Sequence, residues 1–251
     1  MPGCAEQRPT ASLITKRWLS LAPSHALLTI LREPTSALMP KQSTFIPPSS
    51  PVLKKEPPSG TGYVHEIKFD GWRLQLHKDG DTVSLFGRRG SDLTKRFRDV
   101  RDAVIALPCR SAIIDAEVVV CDSDGRPDFT ALMARSTENL CCWCFDLLSF
   151  NGRDIRGLPL TERKALLRDL LIAADDDTLR YSDEFEDAEK LLAVAEKMGL
   201  EGIVSKNGAQ PYLSGRNPGW IKVKTSAWRA ANKDRFELFD TSKVSRSATE
   251  A

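Results

Sequence analysis

The sequence lacks the features that would place it in several special classes of protein. Its 251 residues contain no run of about 20 apolar residues, so no membrane-spanning helix is predicted. The formal net charge is only +2, which gives no global signal for polyanion binding. The six cysteines give one Cys-x-x-Cys spacing, Cys141 and Cys144, without a second pair, and with Cys142 these residues stand in an apolar run where packing as small hydrophobic side chains is expected. A zinc site and a disulfide framework are therefore disfavoured, and a reducing cytoplasm is the expected location.

Charge is distributed unevenly along this nearly neutral chain. Residues 85–110 hold seven Arg and Lys against three Asp, and residues 175–189 hold eight Asp and Glu against one Arg. The basic run over 85–101 predicts a phosphate-binding strip, although a solvated face would have the same composition. The acidic segment is interpreted as a solvated loop that leads into a helix.

The first part of the chain differs from the rest because it is rich in proline and has no long periodic segment. No signal peptide is indicated, because the start lacks a basic region followed by a continuous apolar stretch and a small-residue cleavage site. We predict a leader over residues 1–39 that is disordered or an upstream extension. A single domain over 40–239 and a disordered tail over 240–251 are predicted to follow it.

From Tyr63 onward, short β-like runs alternate with turn residues and with three amphipathic segments. Strands are predicted at 63–68, 72–78, 82–87, 111–121, 140–148, 201–206 and 220–224. Helices are predicted at 92–107, 161–172 and 187–198, and Thr161 is the expected N-cap of the second. Strands that come first in hairpins, with helices inserted later, indicate an α+β fold with largely antiparallel sheets.

Three of the predicted strands place charged residues on one face and aliphatic residues on the other, because side chains alternate between faces. The charged members are Glu66, Lys68, Asp115, Glu117, Lys222 and Lys224. A solvated sheet face explains each strand equally well, and His65, opposite Lys68, is expected to be structural. Lys68 differs because it ends its strand ahead of an Asp-Gly turn, and cationic neighbours in a dry pocket would activate such a lysine as a nucleophile. Lys222 and Lys224 are candidate neighbours, or candidate phosphate-binding groups beside a metal held by Glu117 and Glu201.

Six short sequences occur in a fixed order between residues 68 and 224. They are LysPheAspGlyTrpArg (68–73), GlyArgArgGly (87–90), AspAlaGlu (115–117), CysPheAspLeuLeu (144–148), GluGlyIleValSerLys (201–206) and TrpIleLysValLys (220–224). In this order they resemble the motifs of the adenylation domain of ATP-dependent DNA ligases. The residues around them resemble bacterial ligases of the end-joining repair type. The resemblance implies an α+β, ATP-grasp-like covalent nucleotidyltransferase fold with antiparallel sheets flanked by helices, in a bacterial cytoplasmic enzyme.

The resemblance also implies a role for each matching residue. Lys68 would attack the α-phosphorus of ATP and form a lysyl-AMP intermediate, while Lys222 and Lys224 hold the α-phosphate. The other implied roles are adenine recognition by Glu66, adenine stacking by Phe145, ribose or phosphate contacts by Arg73 and Glu117, nucleotide binding by Lys206, a Mg²⁺ or Mn²⁺ site at Glu117 and Glu201, and a DNA phosphate contact by Arg88. From the residues alone, a surface acid at Glu66 and core packing at Phe145 remain open.

Ligases of this family typically continue after the last motif into an OB-fold, and the 27 residues after Lys224 are too few to build one. The expectation is an adenylation domain served by an OB-fold or a repair protein in trans. Two functional hypotheses stay open. The first is a DNA ligase that transfers AMP from Lys68 to the 5′ phosphate of nicked double-stranded DNA. The second is a non-catalytic ligase remnant or accessory module that binds ATP or nicked DNA without turnover.

Overall fold

Two β-sheets with helices packed around them make up the part of the chain that the structure describes. That structure is a computed structural model, and it describes residues 44–122, 127–134, 136 and 138–233. The predicted leader at 1–39 and tail at 240–251 lie outside the described residues. The strands and helices of the α+β prediction are present, so the fold class is confirmed.

The smaller sheet has four strands in the order β1, β10, β9, β2. They span Ser49–Leu53 (β1), Gly215–Lys224 (β10), Gly202–Asn207 (β9) and Tyr63–Lys68 (β2). β1 runs parallel to β10, and the other two pairs are antiparallel. The register aligns Glu66 with Val204 and Lys222, and aligns Lys68 with Gly202 and Lys224. Directly paired residues point to the same face, so both rows face the same way.

The larger sheet has six strands. Five follow the order β4, β3, β5, β6, β7, and β8 pairs in parallel with β6. They span Trp72–Asp79 (β3), Thr82–Gly87 (β4), Ser111–Val120 (β5), Leu140–Phe150 (β6), Arg153–Asp154 (β7) and Leu179–Tyr181 (β8). Arg73 of β3 is paired with Glu117 of β5, which places both motif residues near the same end of the sheet.

Five helices pack against these sheets within the described residues. They span Arg98–Ala106 (α1), Phe129–Met133 (α2), Leu160–Ala174 (α3), Ala188–Lys197 (α4) and Ser226–Ala231 (α5). Side chains of Asp128, Asp187 and Thr225 accept backbone N–H groups at the starts of α2, α4 and α5, as N-caps do. None of these five described helices is long and apolar enough to cross a membrane.

Two apolar clusters hold the sheets and helices together. Leu191 and Ala195 of α4 pack with Ile203, Ile221 and Val223, so α4 covers the face of the smaller sheet opposite the lysines. The second cluster joins both sheets to α3 through Ile113, Leu148, Leu160, Tyr212 and Trp220. With its rear face covered, the smaller sheet presents its charged face toward the larger sheet.

Several predicted boundaries are wrong. The first helix begins at Arg98 rather than at 92, and Asp92 instead forms a bridge with Phe86. The second helix begins at Leu160, with Pro159 at the N-cap position, so the predicted N-cap at Thr161 is wrong. Thr161 lies inside the first turn of this helix, and the Thr161 hydroxyl donates a hydrogen bond to the Gly208 carbonyl at 3.3 Å. The short elements β1, β7, β8, α2 and α5 were not predicted.

Candidate active site

A cavity of about 770 Å³ lies where the charged face of the smaller sheet meets β3, β5 and β6. Eight predicted site residues contribute to its wall: Glu66, Lys68, Arg73, Arg88, Glu117, Phe145, Lys206 and Lys222. The other two, Glu201 and Lys224, are joined to Lys68 by ion pairs, Glu201 directly and Lys224 through Glu201. One cavity therefore brings together residues that are spread over more than 150 positions of sequence.

Glu201 joins two lysines at one end of the cavity. Its Oε2 lies 2.8 Å from Lys68 Nζ, and its Oε1 lies 2.9 Å from Lys224 Nζ. Gly202 separates the two lysines across β9, and its lack of a side chain leaves room for both. A Cβ on Gly202 would lie 2.0 Å from the Val223 carbonyl oxygen, so this close approach requires glycine.

Lys222 lies in the same concentration of positive charge. Burial lowers its pKa, and the charges of Lys68 and Lys224 lower it further, while Glu201 opposes them. A group of three lysines balanced by one carboxylate is an electrostatic site for phosphate oxygens, because added negative charge relieves their mutual repulsion.

The turn after Lys68 is held from both sides. Gly71 packs so closely on β5 that a Cβ there would lie 2.3 Å from the Val118 carbonyl oxygen. Asp70 accepts a hydrogen bond from the Trp228 indole at 3.3 Å, and Lys224 Nζ lies 3.9 Å from the centre of a Trp228 ring. Trp228 of α5 therefore links the turn to Lys224, a contact that the sequence did not indicate.

Glu66 lies elsewhere along the cavity among buried polar groups. Lys206 Nζ lies 2.8 Å and Lys164 Nζ 3.1 Å from its Oε1, and Ser182 Oγ donates to its Oε2 at 2.8 Å. Glu66 is only 2% exposed, so the surface-acid alternative is wrong. Lys164 and Ser182 were missed by sequence reasoning, since neither stands in a recognisable motif.

Phe145 lines the same cavity and has two cationic groups over its ring. Lys206 Nζ lies 4.4 Å and the Arg73 guanidinium carbon 4.9 Å from its ring centre. Phe145 also packs against the cluster that contains Trp220, at 6.5 Å between ring centres. It thus contributes both to the core and to the cavity wall, and stacking on adenine stays a prediction.

Arg73 is committed to protein groups in this structure. Its guanidinium donates twice to Asp115, at 2.7 and 2.6 Å, and once to the Ser49 carbonyl at 2.9 Å. Tyr212 also donates to Asp115, at 2.7 Å. Burial would lower the pKa of Arg73, but Asp115 outweighs it and the pKa is raised. These bonds use three of the five N–H donors of the guanidinium, and the ribose or phosphate contact stays a prediction.

Glu117 has an unusual electrostatic environment for a carboxylate. Burial raises its pKa to about 7, and the negative charges of Glu201 and Asp115 add to this, against Lys68 and Arg73. A divalent cation would relieve this strain, and Mg²⁺ binds through one or two carboxylates plus water and substrate phosphates. The described residues contain no group of three or more His, Cys, Asp or Glu that could hold a metal. Glu117 and Glu201 therefore fit a Mg²⁺ site in which one or two carboxylates act together with water and substrate phosphates.

The basic strip extends outward from the cavity. Arg88 is exposed, lines the cavity mouth together with Arg89, and donates to Ser50 Oγ at 3.4 Å. Arg96 differs, because its guanidinium lies 3.8 Å above a Trp72 ring and donates to the Leu132 carbonyl at 2.7 Å. Arg96 therefore helps to pack the domain, and the strip contains both structural and outward-facing cations.

The sequence matches the family model for the ATP dependent DNA ligase domain over residues 49–224. The chain belongs to the ATP-dependent DNA ligase domain family. That match contains the whole cavity wall described above, and it covers all ten strands. Resemblance to the adenylation domain of these ligases is therefore confirmed, and ATP and nicked DNA are the substrates on which the family acts.

Curated relatives share this ligase domain and are bacterial. The chain is 39% identical over 185 residues to the "Multifunctional non-homologous end joining protein LigD" of Pseudomonas aeruginosa, which covers 72% of this chain and 22% of that protein. It is 36% identical over 170 residues to a "Probable DNA ligase" of Mycobacterium sp. (strain KMS), covering 64% of this chain and 33% of that protein. The matched part thus spans about a fifth to a third of the length of these relatives.

Solved structures show the same fold. The ligase domain of LigD from M. tuberculosis superposes with a TM-score of 0.62 at 27% identity, covering 71% of this chain and 60% of that chain. A mycobacterial DNA ligase D complexed with ATP and MES gives a TM-score of 0.62 at 26% identity. The ATP-dependent ligase of bacteriophage T7, at 16% identity and a TM-score of 0.53, shares the fold. The nucleotidyltransferase fold and the ligase adenylation domain are therefore established for this chain.

Proposed function

We propose that this ligase domain forms a covalent lysyl-AMP at Lys68 from ATP and passes the AMP to the 5′ phosphate of nicked double-stranded DNA. The observation that carries the proposal is the position of Lys68 in the cavity wall, with Lys222, Lys224 and Glu201 beside it. We assign the activity to the domain over residues 40–239. A bacterial cytoplasmic location belongs to the same proposal, because the substrate is intracellular ATP.

In the proposed first step, the lone pair of Lys68 Nζ forms a bond to the α-phosphorus of ATP. The bond from that phosphorus to the bridging oxygen breaks, and pyrophosphate leaves with the electron pair. The Lys68 ammonium must first give up a proton to solvent, and this loss also ends its 2.8 Å ion pair with Glu201, which stays ionised.

Charge stabilisation in this step would come from the other lysines. Lys222 and Lys224 would contact oxygens of the α-phosphate, where negative charge develops in the transition state. Because the two lysines are held by β10 and balanced by Glu201, little reorganisation is needed when the phosphate arrives. Phe145 and Glu66 would hold the adenine ring, and Arg73 and Lys206 would contact the nucleotide between the base and phosphate ends.

Glu117 and Glu201 would hold a Mg²⁺ or Mn²⁺ ion. When bound, the ion neutralises charge on the phosphate oxygens and on the leaving group. Glu117 lines the cavity, and the pKa that burial raises to about 7 indicates a carboxylate that would gain stability from a nearby cation. Metal binding at this position stays part of the proposal.

Transfer of AMP to DNA would use the open side of the cavity. Arg88 at the cavity mouth would contact a phosphate of the nicked strand. The curated relatives extend well beyond the matched part, so an OB-fold or a repair protein, in the same chain or in trans, completes the proposal. Such a partner would close over DNA that is already bound along the basic strip.

Labelling with ATP tests the proposal directly. Purified protein, Mg²⁺ and α-labelled ATP should give a covalently labelled chain, whereas γ-labelled ATP should give none, because pyrophosphate leaves. Lys68→Ala should abolish the label. Lys190→Ala is the matched control, since Lys190 is an exposed lysine paired with Asp187 on α4, and it should label like the parent.

The outcomes separate the two functional hypotheses. Label retained by Lys68→Ala would contradict the assignment of the nucleophile. ATP binding without any covalent label, under conditions in which Mg²⁺ or Mn²⁺ is varied, would instead favour the accessory module that binds without turnover.

A further inference from the structure

Lys164 of α3 is a fully buried lysine that lies behind the cavity wall. Its Nζ donates to the Ser182 carbonyl at 2.9 Å and lies 3.1 Å from Glu66 Oε1 and 3.6 Å from Glu184 Oε1. Lysine is almost never fully buried unless it is paired. Lys164 is absent from the cavity wall, which contains Glu66 and Ser182. Any influence of Lys164 on a bound nucleotide therefore passes through Glu66 and Ser182, the two wall residues that it contacts.

The Glu66 carboxylate has partners on both oxygens. Lys164 and Lys206 form ion pairs with Oε1, and the Ser182 hydroxyl donates a hydrogen bond to Oε2. Burial alone would raise the pKa of Glu66, but the two lysines outweigh burial and lower it. Three more titratable groups lie near Glu66 and Lys164. Tyr181 is the last residue of β8, Asp183 and Glu184 follow it, and the Tyr181 hydroxyl donates a hydrogen bond to Glu184.

The charge state of this carboxylate decides which purine it can bind. An ionised carboxylate only accepts hydrogen bonds, so it suits the amino group of adenine and opposes the carbonyl oxygen at the same position of guanine. A protonated carboxyl can donate to that carbonyl oxygen and would lose the discrimination. Lys206 lies in the cavity wall and can turn toward a nucleotide, whereas Lys164 is held away from the cavity and its charge stays on Glu66.

We propose that Lys164 and Ser182 are positioning residues that keep the Glu66 carboxylate ionised and directed into the cavity, so that the site selects adenine over guanine nucleotides. The inference rests on the proposed adenylation of Lys68. The inference adds Lys164 of α3 and Ser182, which follows β8, to a site whose sequence motifs lie on the strands.

The test compares α-labelled ATP with α-labelled GTP over a range from about pH 5.5 to about pH 8.5. The parent should keep a constant ATP to GTP labelling ratio. In Lys164→Met, the ratio should fall by about tenfold for each pH unit below the point where Glu66 takes up a proton. Lys164→Arg keeps the charge and should restore the constant ratio. Lys190→Met removes an exposed lysine from α4 and should behave like the parent.

Two further variants keep the test decisive if Lys164→Met does not fold. Ser182→Ala removes one hydroxyl and should produce a smaller fall in the ratio in the same pH direction. Glu66→Gln carries no ionisable group, so its ratio should not vary with pH, either alone or combined with Lys164→Met. A ratio in Lys164→Met and Ser182→Ala that stays constant with pH would overturn the inference.

Failure of this inference can be told apart from failure of the proposed function. If the parent acquires no covalent label, the adenylation proposal fails, and the same ratio is then measured as the dissociation constants of ATP and GTP by calorimetry. A pH-dependent loss of discrimination in Lys164→Met would still support the positioning role. Equal binding of ATP and GTP by the parent would contradict it.

Discussion

At the scale of single residues, ionised groups near the cavity are arranged around shared partners. Each oxygen of Glu201 forms an ion pair with one lysine. One oxygen of Glu66 forms ion pairs with two lysines, and the other accepts a hydrogen bond from a hydroxyl group. A buried carboxylate is costly unless it is paired, so each of these clusters stabilises the fold only while it is complete. Binding of phosphate at the lysines near Glu201 would add negative charge where three lysines are balanced by one carboxylate.

His65 gives a prediction about stability and pH at the same scale. It lies on the rear face of β2, where its Nδ1 is 2.8 Å from Ser205 Oγ, so its structural role is as expected. Burial lowers its pKa, and Asp187 opposes this only in part. The unfolded chain therefore takes up a proton near pH 6.5 that folded His65 does not, and the free energy of unfolding should decrease as the pH falls below about 6.5.

Urea unfolding of the parent and of His65→Gln, measured between about pH 5 and about pH 8, checks this expectation. The parent should lose more stability across that window than the variant does. The contribution of Glu66 is lost at a lower pH, because its pKa is lowered from that of an ordinary carboxylate, and both proteins share it. Identical pH slopes for the two proteins would contradict the assignment to His65.

At the scale of elements, the close packing of β9 against β10 sets the spacing of the lysines. Gly202 has φ of 152°, and a Cβ there would lie 2.0 Å from the Val223 carbonyl oxygen and 2.9 Å from Lys224 Cα. Gly202→Ala should therefore push the two strands apart and destabilise the domain by on the order of 3 kcal/mol. It should also weaken labelling at Lys68, since Glu201 and Lys224 move with the strands.

Gly157→Ala is the matched control for this prediction. Gly157 is exposed, and a Cβ there would meet nothing within 4 Å. The Gly157→Ala protein should have the same denaturation midpoint and the same labelling rate as the parent. A Gly202→Ala protein with an unchanged midpoint would show that β9 and β10 tolerate the added methyl group.

Strand faces could be predicted from the sequence, whereas the partners supplied by helices could not. Alternation along β2 and β10 places Glu66 with Lys68 and Lys222 with Lys224, because this geometry holds in any sheet. Lys164 stands in a Thr-Glu-Arg-Lys sequence that is typical of an exposed helix start. Its burial depends on how α3 packs across the larger sheet, which no local pattern encodes.

The strand β1 was missed for a similar reason. Pro51 interrupts its sequence, and its partner β10 lies more than 160 residues away in the chain. The register of this pair shifts between Pro51 and Val52, where the proline cannot donate a ladder hydrogen bond. Long-range parallel pairing therefore compensates for a weak local strand signal.

At the scale of the whole molecule, the small net charge hides a local concentration of positive charge. The formal net charge is +2, yet Arg88 and Arg89 stand at the mouth of a cavity that also contains Lys68 and Lys222. Association with a nicked duplex should therefore depend on this surface rather than on overall charge. The contacts would be to phosphates, so binding should be independent of sequence and sensitive to salt.

The slope of the logarithm of the association constant against the logarithm of salt concentration measures this dependence. Arg88→Ala should reduce the magnitude of the slope by about 1, and the double variant Arg88→Ala with Arg89→Ala should reduce it by up to about 2. Each phosphate contact that is lost lowers the number of counterions that DNA releases on binding. Arg156→Ala is the control, since the Arg156 guanidinium is paired with Asp154 near β7 and away from the cavity wall. A slope that falls equally in Arg156→Ala and Arg88→Ala would mean that DNA responds to net charge alone, and the basic strip would then lose its assigned role.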